Sequence, residues 1–209
     1  MKLWLAIWMA VLLTACSSNG GGGFAAHLKT VEYFRVFDIR TTASNDTMAA
    51  AASNGIEKNI RNAALATPLP AVNEVRNTPG RIVLQQPSDV LGAAAAPGTP
   101  ACDGASWTAT ANPQVSGSDN VSVVACLFPY KGGYHLDMYT AFTRPDGGWM
   151  HYPRRWTGVV FGTPEKWTER TMLDVVRAIQ ARTNAQVVVV EAKPEIVGTP
   201  WIDPPAGGL

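Results

Sequence analysis

Three groups of residues in this chain have types and spacings that invite chemistry. His135 and Asp137 alternate along a predicted strand, so both project from one face, as an acid/base couple or two metal ligands would. A third ligand would be His151. The turn Arg144-Pro145-Asp146-Gly147-Gly148 sets His151 near Ala141. That is three same-face steps from His135, or roughly 20 Å at about 3.3 Å per residue. The pair therefore reads as polar residues facing solvent, with no metal centre. The second group is the run Trp149 to Trp156, reinforced by Trp201 near the end of the chain. Trp149, Tyr152, Arg154, Arg155 and Trp156 would suit a lipid head group, a glycan or an acidic partner. The alternative is a strand pair whose aromatics pack inward while the arginines are solvated. The third group is the three cysteines, Cys16, Cys102 and Cys126. Neither Gly-x-Ser-x-Gly, nor His-Glu-x-x-His, nor a P-loop occurs. Gly20 to Gly23 precede any strand and form no phosphate cradle. With no nucleophile–base couple identifiable, the expectation is a non-enzymatic protein without cofactor or metal.

The cysteines divide by position. Lys2 and the apolar run Leu3 to Leu13 precede Leu13-Thr14-Ala15-Cys16. The run suits a signal-peptide core and falls short of the roughly 20 residues that span a bilayer. Leu-Thr-Ala-Cys resembles the lipobox of bacterial lipoproteins, and a polar, glycine-rich stretch follows it. The resemblance covers about the first sixteen residues. It implies cleavage before Cys16, diacylation of its thiol and acylation of the new amine. Each buried methylene then contributes about 0.8 kcal/mol to anchoring. Ser17, rather than Asp, at the next position implies outer-membrane sorting under the enteric rule. The alternative is an ordinary secretory signal with a chance cysteine. On the lipoprotein reading two cysteines remain, and an oxidising compartment joins them as Cys102–Cys126. Closing a loop of about 25 residues is worth roughly 3 to 4 kcal/mol. Two free buried thiols are the alternative.

The chain has 209 residues, enough for one sizeable domain. Lys+Arg is 17 against 16 Asp+Glu, and the signal segment removes Lys2. A formally neutral mature chain argues against a nucleic-acid binder, which carries a basic excess. The expected partners are the membrane, through the N-terminal lipid, and another envelope protein.

The elements that must position these residues follow from periodicity. Ser17 to Thr30 reads as a tether after the lipidated cysteine, and 31–192 as a single domain. Val31 to Arg40 is a strand with Phe34, Val36 and Asp38 on one face and Tyr33, Arg35, Phe37 and Ile39 on the other. Ser44, Asn45 and Asp46 offer N-caps for a helix to about Ala64, with Met48, Ala52, Ile56, Ile60 and Ala63 as its stripe. Ala71 to Arg76 and Arg81 to Gln85 are short strands about the turn Asn77 to Gly80, and Gln86 to Pro100 is loop. Ala105 to Thr110 and Val121 to Phe128 are strands. Placing Cys102 opposite Cys126 sets Trp107 opposite Val121 and Ala105 opposite Val123. In Tyr134 to Phe142 the residues Tyr134, Leu136, Met138, Thr140 and Phe142 oppose His135, Asp137, Tyr139 and Ala141. Trp149 to Tyr152 returns as the partner of that strand, and Trp156 to Phe161 continues. Thr163 caps a second helix with Pro164 at its first position, Met172, Val175, Val176 and Ile179 as its stripe and Asn184 as its stop. Val187 to Val190 reads as a buried strand, and 193–209 as a Pro/Gly-rich tail. The fold class is α+β, a mainly antiparallel sheet with two helices packed on one face. In layout alone this is similar to small envelope-assembly lipoproteins. Two further roles stay open: binding an apolar or glycan ligand between helices and sheet, and hydrolysis at an unfamiliar site.

Overall fold

The computed structural model describes residues 27–66, 76–85, 98–146 and 163–195. Their elements are β1 (His27–Arg40), α1 (Asn45–Glu57), β2 (Ala64–Ala66), β3 (Val83–Gln85), β4 (Thr99–Ala101), β5 (Trp107–Ala111), β6 (Asp119–Tyr130), β7 (Gly133–Asp146), α2 (Pro164–Thr183) and β8 (Gln186–Lys193). Six strands form one antiparallel sheet in the order β2-β5-β6-β7-β1-β8, and β3 pairs with β4 apart from it. Both helices pack on one face. The strand–helix–strands–helix–strand order and the α+β class are those expected from periodicity.

Alternation decides the layers. Tyr33, Phe37 and Ile39 of β1 join Leu136, Met138 and Phe142 of β7 in the core beneath the helices. Met48, Ala52 and Ile56 of α1 and Met172, Val175, Val176 and Ile179 of α2 close that core from above. Ser44 caps α1 and Thr163 caps α2, each accepting from a backbone N–H in the first turn. Asn184 ends α2 in the left-handed region at φ 50°. Arg35, buried on the helix side, donates to the Lys193 carbonyl at 2.6 Å and to Glu169 of α2, so its charge is paired.

Several expectations are corrected. α1 ends at Glu57, and Ala64–Ala66 extends the sheet by pairing with Thr108–Thr110. Ile60 stays buried, although it lies beyond the helix. Trp107 lies opposite Leu127 and not Val121. The cause is that Cys102 precedes β5: its bond to Cys126, with Cα atoms 6.1 Å apart, links a loop to the sheet and does not set a strand register. The slip is an even number of residues, so Trp107 keeps its inward face and donates to Ser53 Oγ at 3.0 Å. Val83–Gln85 pairs with Thr99–Ala101, of which Thr99 and Pro100 fall in the segment read as loop. β7 runs on to Asp146, into the expected turn, and pairs with β1 from His27 onward, four residues before the expected strand start. Its two edges carry β6 and β1, and Trp149 to Tyr152, expected as its partner, lies outside the described residues. β8 pairs with β1 but lies at the sheet's edge, and Val188 and Val190 are 46% and 50% exposed. An apolar run there is half-solvated and not buried.

Gly55 sits where α1 crosses α2. A Cβ at Gly55 would overlap the Val175 Cα and stand 2.9 Å from the Asp174 carbonyl oxygen. Gly55→Ala gains about 1 kcal/mol of helix propensity but forces two backbones apart, an overpacking cost of roughly 1–3 kcal/mol or more. The expected outcome is a net loss of stability in urea denaturation, with an unchanged slope. A gain would show that the helices separate freely.

Candidate functional site

The second face of the sheet carries the side chains with chemical potential. Asp38 and Phe34 of β1, His135, Asp137 and Tyr139 of β7 and Cys126 and Phe128 of β6 all point away from the helices. The segments around β3 and β4 cover the middle of this face. Ile82, Ala105 and Phe128 pack there, the Cys102–Cys126 disulfide anchors the β4 side, and the Lys131 N–H donates to the Arg76 carbonyl at 3.0 Å.

Asp137, at 0% exposure, organises the centre. Its Oδ2 accepts from the Ile82 backbone N–H at 2.9 Å and from Arg81 Nε at 3.1 Å. Arg81 Nη2 also donates to Glu191 Oε2 at 2.6 Å, and its guanidinium lies 5.7 Å from the centre of the Phe34 ring. Lys193 Nζ holds Glu191 Oε1 at 2.8 Å. Burial pushes the Asp137 carboxyl above its ordinary range, against the opposing pull of Ile82 and Arg81. Hydrogen bonds from Lys193 and Arg81 hold Glu191 below its own. Glu191 reaches this face because of a bulge: Phe37 pairs with Val189 and Val36 with Glu191, leaving Val190 as the extra residue.

Beside this network lies a second one. Tyr130 Oη donates to Asp38 Oδ1 at 2.6 Å, Arg40 Nε approaches Asp38 Oδ2 at 3.2 Å, and His135 Nε2 stands 3.7 Å from Asp38 Oδ1. The Tyr130 and His135 rings meet edge-on with centres 5.6 Å apart. At 3.7 Å His135 makes no hydrogen bond to Asp38, so Tyr130 and Arg40 are the groups that hold this carboxylate.

The cleft on this face lies next to it, at the end of β8. It has a volume of about 300 Å³ and is lined by Glu32, Phe34, Ile82, Leu84, Tyr139, Glu191 and Lys193. Tyr139, 2% exposed, donates to Glu32 Oε1 at 2.5 Å, and burial pushes its phenol up, with Glu32 adding to the effect. No family model and no curated protein matches this chain.

Of the sequence-derived candidates, Cys102 and Cys126 are joined. Cys16, Trp149, Tyr152, Arg154, Arg155, Trp156, Trp201 and His151 lie outside the described residues. His135 and Asp137 do share a face, but both are buried under the β3–β4 layer, which corrects the solvent-facing reading. The described residues include no cluster of three or more metal-ligating side chains. Between helices and sheet the described core is packed by fully buried Trp107, Phe37, Leu136 and Met138. Arg81, Glu191, Glu32 and Tyr130 escaped the sequence reading. Tyr139 was placed on the right face, and only the β1–β7 register would have brought Asp38 and Phe34 to it.

His135 supplies a pH signature. Burial holds its imidazole below the ordinary 6.5 and Arg81 adds to this, while Asp38 opposes it. The unfolded chain therefore takes up this proton at higher pH than the folded one. The stabilisation is complete above about pH 6.5 and is lost as pH falls through the lower folded value. Urea denaturation from about pH 7.5 to about pH 5 should show falling stability, with a shallower fall in His135→Gln. Parallel profiles would assign the loss to other groups.

Proposed function

We propose that this chain is a lipid-anchored envelope protein with a non-enzymatic binding or scaffolding role. Cys16 holds it at the outer membrane, and the domain faces the periplasm. The lipobox-like Leu13 to Cys16 supports the anchor. The observation that carries the binding role is the recessed cleft lined by Glu32, Phe34, Tyr139 and Glu191. Charged and aromatic walls around a cleft of this size suit recognition of a ligand group. β8 adds an open edge beside it. Among the described residues it pairs only with β1, and exposed Val188 and Val190 offer backbone and apolar contacts to an extended partner segment.

Two measurements test this reading. Mass spectrometry of the mature protein should find Cys16 at the N-terminus carrying diacylglyceryl, and Cys16→Ser should release the protein from the membrane fraction. Crosslinking in intact cells should capture an envelope protein, and Val188→Lys with Val190→Lys should lose it while the fold persists. An unmodified amino terminus would overturn the anchor. The same absence of any captured protein from wild type and variant would overturn the binding role.

A further inference from the structure

We propose that the cleft at the end of β8 takes a primary ammonium group carried on an aliphatic stem. The inference rests on the binding reading above and names what is bound. It starts from a charge count within the cleft. Lys193 is already held by Glu191 Oε1. Arg81 is held by Glu191 Oε2 and by Asp137. Glu32 is the carboxylate left over, for among the described residues it pairs with no cation, and the hydrogen bond it accepts comes from Tyr139.

The geometry prepares Glu32 for a ligand. Tyr139 is a buried residue whose hydroxyl grips Oε1 at 2.5 Å, which orients the carboxylate and leaves Oε2 available. Glu32 pairs with Ala141 across the strand, and β8 begins its pairing with β1 only at Phe34. Among the described residues, a small neighbour on one side and the end of a strand on the other leave space over the carboxylate. Phe34, Ile82 and Leu84 give apolar walls, and Leu84 is partly exposed. A methylene stem along those walls sheds water while its charged head meets Glu32. A cleft of about 300 Å³ lies at the small end of ligand sites and suits a single side chain or a short diamine. Glu32, Glu191 and the buried Asp137 set three carboxylates against the two cations Arg81 and Lys193, a balance that disfavours an anion.

The group has two natural sources, a lysine side chain of a partner protein and a free diamine. Calorimetric titration of the full-length chain in detergent would compare Nα-acetyl-lysine amide, putrescine and the uncharged Nα-acetyl-norleucine amide. The first two should bind and norleucine should bind roughly tenfold more weakly, as expected for loss of a charge-assisted hydrogen bond. The tighter of the two amines names the source. Glu32→Gln should weaken amine binding by about tenfold with no effect on norleucine. Leu84→Lys, on the exposed wall, should do the same by placing a cation in the cleft, and it serves if Glu32→Gln folds poorly. Equal binding of norleucine, or undiminished amine binding by both variants, would overturn the proposal. Continued capture of an envelope protein in that case would leave the binding role standing with a different ligand chemistry.

Discussion

The back of this protein is organised by one buried carboxylate. Asp137 has no exposure, and a carboxylate in such a place is tolerable only when its charge is answered by donors. The donors are the Ile82 N–H and Arg81 Nε, both on a segment remote in the chain. Their bonds bring residues 76–85 across a sheet face that would otherwise be wet. The disulfide ties the neighbouring 98–105 segment to β6. The bulge in β8 then brings Glu191 round to share Arg81, so one guanidinium bridges the sheet's centre and its edge.

The two faces of the sheet are thus covered by different physics. The helix side is closed by area: Met48, Ile56, Met172 and Val176 interleave with the aromatic and aliphatic residues of β1, β6 and β7. Non-directional burial of this kind seals a surface completely. The other side is closed by a few directional bonds, a disulfide and a small apolar cluster of Ile82, Ala105, Val124, Phe128 and Tyr139. Among the described residues that cover stops at the cleft beside β8.

The charge arrangement follows from this. Burial pushes the Asp137 carboxyl up and the His135 imidazole down, against the pull of Arg81 and Ile82 on the first and of Asp38 on the second. At its rim Glu191 is held ionised by Lys193 and Arg81. Of the groups bordering the cleft, Glu191 and Lys193 are joined in an ion pair and Glu32 is held by Tyr139.

Local chemistry marked out much of this architecture before any contact was known. Thr163-Pro164 and Asn184 set both ends of α2, Ser44 set the start of α1, and alternation in β1 and β7 assigned Asp38, His135, Asp137 and Tyr139 to their face. Cys102 and Cys126 were paired correctly, yet the strand register drawn from them was not, because a crosslink between a loop and a sheet does not constrain which residues lie opposite. The expected end of α1 falls too late because Ile60 and Ala63 continue the apolar spacing of its stripe, whereas the helix stops at Glu57 and Ala64–Ala66 joins β5 as strand. Four valines in a row say that a segment is apolar, but the neighbours it acquires decide whether it is central or peripheral. Arg81, Glu191 and Asp137 are far apart in the chain and meet only because a bulge and a covering segment place them together. Capping, period and turn propensity act over a few residues and can be read in one dimension. Register, edge position and the answering of a buried charge depend on groups from distant parts of the chain, and these exist only once the sheet has closed.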